Sequence, residues 1–154
     1  MRSNSSVINV YKKNNIKSEV VTQLLYGDTF KKIKKKGPWI KIKNDLDHYK
    51  GFIKNKKFPS NQKDTHKIYK LYANLYSKPS LKSKIRKKLS FGSKIKIIEK
   101  KNNFCKFDNL WIKKRDLKKI NYKTKNIFKN INQFKNIKYK WGGKHFSGVD
   151  CSGL

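Results

Sequence analysis

VVTQLLYGDTFKKIKKKGPWIKIK, residues 20–43, alternates short apolar runs with turn residues. Within it, Trp39-Ile40-Lys41-Ile42-Lys43 switches between apolar and basic at every step, the pattern of a half-buried strand. Gly27 follows an aromatic residue and opens a strand, and Gly37-Pro38 breaks the chain ahead of Trp39. The pattern returns at an offset of 65 residues (Asn9 to Asn74). Asn9-Val10-Tyr11 aligns with Asn74-Leu75-Tyr76, Tyr26-Gly27-Asp28 with Phe91-Gly92-Ser93, and Trp39-Ile40-Lys41-Ile42 with Phe104-Cys105-Lys106-Phe107. The copies close on Gly51-Phe52-Ile53 and Leu110-Trp111-Ile112, the second with a shorter last connection. Lys94-Ile95-Lys96-Ile97-Ile98 reads as a further alternating strand. Five short strands in about 55 residues predict a small open barrel for each copy.

The chain has 154 residues, 36% of them hydrophobic and 13% aromatic, which favours small cores built from a few large side chains. Its 41 Lys+Arg against 9 Asp+Glu give a formal charge of +32. Such a field attracts nucleic acid, acidic lipid surfaces or anionic wall polymers. Arginine occurs only at Arg2, Arg86 and Arg115, which argues against sequence-specific DNA recognition, because base readout favours the guanidinium fork. Lys, Asn and Ile share A- and T-rich codons, so coding bias alone also accounts for a basic chain. No stretch approaches the ~18 apolar residues of a membrane span, and the N-terminus lacks the apolar run of a signal peptide. Cys105 and Cys151 make no disulfide framework, and a reduced compartment is the simpler expectation.

Pro59 to Asp64 reads as a polar linker. After the second copy, Ile127, Phe128, Ile131, Phe134 and Ile137 fall on one face of an expected amphipathic helix, with Thr124 as its N-cap. That helix leads to Tyr139 and to WGGKHFSGVDCSGL, Trp141 to Leu154. Here Cys151 follows glycine-rich turns and Asp150, a good N-cap residue. Thiols attack carbonyls as thiolates, and unpaired N–H groups at a helix start favour the anion. A general base, normally His, must also reach the sulfur. His145 is close in sequence but sits in a loop, and His48 and His66 lie in the repeat region and its linker. Cys105, set between aromatic residues near a strand, reads as packing.

The copies resemble the bacterial SH3-like domains of wall enzymes, through VVTQLLYGD, a following tryptophan and GFI. The resemblance runs from Val7 to Phe58 and more weakly from Ile68 to Ile120. The run Y-K-W-G-G followed by G-V-D-C-S-G-L resembles the start of the NlpC-type cell-wall cysteine peptidases, specifically the γ-D-glutamyl-L-diamino-acid endopeptidases. That resemblance implies a mainly β chain: an SH3-like domain over residues 1–58, a linker at 59–67, a second SH3-like domain at 68–120, and the first piece of a papain-like α+β peptidase domain at 121–154. It also implies Cys151 as nucleophile, Tyr139 beside the thiol, Asp150 and Ser152 on the substrate's amine and glutamyl part, and no metal or cofactor. The family's His and its polar partner lie downstream of the motif. A C-terminally incomplete piece, inactive alone, is therefore expected.

The implied partners are murein peptides or peptidoglycan, with no specific nucleic acid, in a cytoplasmic enzyme of peptide recycling or, if the N-terminus is incomplete, an exported one. The alternative is a non-catalytic tandem module binding anionic wall polymer or acidic lipid through its charge. Non-specific nucleic-acid binding is a third and weaker reading.

Overall fold

The structure, a computed structural model, describes residues 1–126 and 128–153, with Lys129 through its backbone alone. The chain divides into two units: Met1–Asn61 together with Ile137–Leu154, and Gln62–Asn136.

The first unit opens with five strands: β1 (Val7–Tyr11), β2 (Val20–Leu25), β3 (Phe30–Lys36), β4 (Trp39–Asn44) and β5 (Lys50–Lys54). They form one antiparallel sheet in the order β2-β1-β5-β4-β3. The alternation in β4 works as read. Ile40 and Ile42 join Val10, Leu24, Phe30 and Ile53 in a fully buried core, while Lys41 and Lys43 stay partly exposed. Phe58 packs edge-on against Phe30 at 5.1 Å. Gly27 adopts φ 89°, a left-handed conformation that side chains resist, and the Asp28 carboxylate accepts the Leu25 N–H at 2.9 Å to fix that turn.

The second unit contains β6 (His66–Ile68), β7 (Tyr72–Tyr76), β8 (Ile85–Ser90), β9 (Lys94–Ile95), β10 (Glu99–Lys101), β11 (Phe104–Phe107), β12 (Leu110–Lys113) and β13 (Leu117–Lys119). Its larger sheet runs β10-β11-β12-β7-β8, the order of the first sheet once each strand is replaced by its sequence counterpart. A smaller sheet runs β13-β6-β9. Ile68, Leu75, Leu89, Ile95, Phe107 and Ile112 are buried in the interior. The shortened last connection is a tight turn, with Asp108 at φ 46°. The strand expected over Lys94–Ile98 stops at Ile95. The Ile97 N–H donates to Thr65 Oγ1 at 2.9 Å instead of continuing a ladder, and Ile98 is 60% exposed.

The expected amphipathic helix and the α+β peptidase piece are corrected by the structure. The described chain is all-β apart from a 3-10 turn at Lys114–Asp116 and a four-residue helical turn, α1 (Phe128–Ile131), followed by a second 3-10 turn at Asn132–Phe134. Phe128 is 70% exposed and Ile131 44%, so the stripe does not form a core face; Ile127 lies outside the described residues. The causes are local. Thr124 Oγ1 accepts the Asn126 N–H at 3.3 Å in a short turn of its own. Asparagines at 126, 130, 132 and 136 are poor helix formers, and a run this short does not meet the nucleation cost. Gln133 turns inward to accept the Leu71 N–H at 3.0 Å, and Phe134 stacks edge-on against Phe91 at 5.6 Å.

Between Ile137 and Val149 the chain returns to β structure. Tyr139 makes a parallel bridge to Val149, and β14 (Lys144–His145) pairs with β15 (Gly148–Val149) in a hairpin. No helix among the described residues is long and apolar enough to cross a membrane.

Candidate active site

Asp150 organises the cysteine segment. Its Oδ1 accepts the N–H of Ser152 at 2.9 Å, the N–H of Gly153 at 2.8 Å and the Ser152 hydroxyl at 2.8 Å. Its Oδ2 accepts the Gly142 N–H at 2.8 Å. A carboxylate gripping the N–H groups two and three residues ahead is the geometry of a helix N-cap. Cys151 occupies the first position after that cap, in a turn, as an exposed free thiol. The glycine-rich approach has a steric reason at Gly142. It sits at φ +66°, and a Cβ there would strike the Val20 carbonyl at 2.5 Å.

The segment is held against the first barrel by polar side chains. β2 has no open face: Thr22, Gln23, Leu24 and Leu25 are all buried, because β14 lies against it. The Gln23 carbonyl oxygen accepts the Lys144 N–H at 2.8 Å and the His145 N–H at 3.1 Å, while its amide donates to Asn9 Oδ1 at 2.8 Å. The Lys144 ammonium pairs with Asp47, with only 9% and 19% of the two side chains exposed. Asp47 also accepts from Thr22 Oγ1 at 2.9 Å, Asn44 Nδ2 at 2.8 Å and the Tyr49 N–H at 3.1 Å. Burial pushes the Asp47 carboxyl up, but the Lys144 ammonium and the bonds from Tyr49 and Thr22 outweigh it and hold the group below the usual carboxylate range. At the rim, Glu19 accepts the Trp141 indole N–H at 3.1 Å and pairs with Lys12 at 2.9 Å; hydrogen bonds from Lys12 and then Trp141 lower its pKa.

Cys151, Asp150 and Ser152 are thus brought together in one turn, and Tyr139 is joined to the same segment through Val149, with its side chain 68% exposed. All four hydrogen bonds that Asp150 accepts come from its own segment, which makes it a scaffold for the cysteine turn. His145 Nδ1 is engaged with Ser147 Oγ at 2.8 Å, and its ring lies 3.9 Å from that of Phe146. Burial, then the charge of Lys140, lowers its pKa. Sequence reasoning missed Gln23 and Asp47. The one signal for Gln23 was VVTQLL, where each face carries two apolar residues around a single polar one; Asp47 had no signal of its own. A cleft of about 730 Å³ between Phe104, Lys113 and Leu117 belongs to the second unit and not to the cysteine. Cys105 is buried, and burial raises its thiol pKa.

Residues 5–58 match the model of the bacterial SH3 domain. No curated protein matches the chain. Among solved structures, an NlpC/P60 family protein from Bacillus cereus ATCC 10987 superposes with a TM-score of 0.77 at 18% identity, over 96% of this chain and 67% of that one. NlpC2 and NlpC1 from Trichomonas vaginalis align at 16% and 18% identity with TM-scores of 0.32 and 0.31, over 99% of this chain and 61% and 58% of theirs. Those two scores are too low to bear on the fold. The chain is similar to the bacterial SH3 domain at residues 5–58 and shares its fold with the Bacillus NlpC/P60 family protein.

Proposed function

We propose that the chain belongs to a cysteine peptidase that hydrolyses γ-D-glutamyl-diamino-acid bonds of murein peptides, with Cys151 as nucleophile. One observation supports this above others: an exposed thiol at the first position of a turn whose leading N–H groups are organised by the Asp150 carboxylate. On this reading the Cys151 sulfur attacks the γ-glutamyl carbonyl, a thioester forms, and the diamino acid leaves as a free amine after protonation. On the same reading the Cys151 N–H, which lies outside the Asp150 bonds, meets the developing oxyanion. Asp150 positions the turn, the exposed Ser152 hydroxyl and Tyr139 face the substrate, and the second repeat, residues 68–120, is a second SH3-like copy.

His145 is tied to Ser147, so the reading assigns the base to another histidine. It also places the enzyme among those that recycle wall peptides in the cytoplasm. The test is turnover of an L-Ala-γ-D-Glu-diaminopimelate tripeptide by the whole gene product and its Cys151→Ala variant. The variant should lose about a thousandfold or more in kcat/KM. Equal rates would remove Cys151 from the chemistry.

A further inference from the structure

The outward face of the β3-β4-β5 sheet is built from lysine rows. Lys31 pairs with Lys43, which pairs with Lys50. The next row is Lys34, Lys41, Phe52 and Tyr11, and the one after it Lys36, Trp39 and Lys54. Like charges directly opposite one another on a sheet are destabilising. The second repeat shows how the same backbone avoids this. At the offset of 65, Lys34 becomes Glu99 and Lys43 becomes Asp108. The row there reads Glu99, Lys106, Trp111 and Tyr76, with a Glu99–Lys106 ion pair at 3.4 Å. In this one row the second copy holds its own carboxylate and the first leaves lysine facing lysine; elsewhere in the second unit Lys118, Lys67 and Lys94 also lie opposite one another, on the smaller sheet.

We infer that the β3-β4-β5 face of the first barrel binds a linear phosphodiester polymer of the polyol-phosphate class, which supplies the missing countercharge. Four features select this chemistry. Alternate strand residues lie about 6.8 Å apart, a span comparable to one extended polyol-phosphate repeat. The cations are lysines, point charges suited to phosphate, and the face has no arginine fork for planar carboxylates. Aromatic rings are present but already covered. Lys54 Nζ lies 4.3 Å from the Trp39 ring centre, Lys41 Nζ lies 5.8 Å from that of Phe52, and Trp39 is only 5% exposed. Without open stacking platforms the face does not suit single-stranded nucleic acid. The inference is independent of the Cys151 chemistry.

Lys34→Glu tests it, because that change recreates the ion pair of the second repeat. Affinity of the full chain for poly(glycerol phosphate) should fall about tenfold, with the log K against log[salt] slope shallower by about 1. The Tm without polymer should rise by about 2 °C. Lys87→Glu, in β8 of the second unit, makes the same change in net charge and should leave affinity within about twofold. Equal losses from both variants would show bulk charge instead of a face and overturn the inference. So would unchanged affinity in Lys34→Glu, or binding of oligo-dT or polyglutamate as tight as that of poly(glycerol phosphate).

Discussion

At the scale of single residues, Asp150 and the two cysteines carry the account. Asp150 was legible as a cap from its place ahead of Cys151, since capping depends on neighbours in the chain. Its hold on Gly142 was not, because that bond closes a loop whose path the sequence does not state. Asp150→Ala should cost about 1–2 kcal/mol and strip hydrogen-exchange protection from the Gly142 and Ser152 amides. Unchanged protection at both amides would contradict the scaffold role. The cysteines differ in access: Cys151 is exposed, and Cys105 is 1% exposed with its thiol pKa raised by burial. Iodoacetamide should label Cys151 in the folded protein and reach Cys105 only on unfolding, as peptide mass mapping would report.

At the scale of elements, the strands of the first copy were readable and the helix was not. Period-2 alternation at Trp39–Lys43 is a backbone signal that burial then satisfies. The stripe ending at Phe134 imitated a helix, but asparagines and an inward-turning Gln133 redirected it. The contact of β14 with β2 rests on Gln23 and on the Asp47–Lys144 pair, both long-range and invisible to local pattern. Lys144→Met leaves Asp47 largely buried without its cation and should cost about 2 kcal/mol of the first unit's stability by denaturant melting.

The same contact sets a pH dependence. Asp47 has a folded pKa below its unfolded value of about 3.9, so its contribution is complete above that pH and is lost as pH falls toward the folded value. His145, lowered by burial and then by Lys140, contributes fully above about 6.5 and loses that contribution as pH falls through this range. Acidification should therefore lower Tm in two stages. His145→Gln should shrink the upper stage, which His66, also lowered by burial, shares, and Asp47→Asn should shrink the lower.

At the scale of the whole molecule, the repeat made both five-stranded sheets legible, down to the lost residues before Leu110. What sequence could not give was the membership of the first unit: Ile137–Leu154 belongs with Met1–Asn61 although seventy-five residues lie between. A chain ended at Asn136 should therefore lose stability in its first unit, with Thr22 and Gln23 bared, while the second unit's transition stays within about 0.5 kcal/mol. The central claim is that Cys151 forms a covalent bond to substrate. Its most direct test is intact and peptide mass spectrometry of the whole gene product, acid-quenched during turnover of the γ-D-glutamyl tripeptide. The account predicts an L-Ala-D-Glu adduct as a thioester on Cys151, absent from Cys151→Ala. An adduct on another residue, or steady turnover by Cys151→Ala, would contradict it.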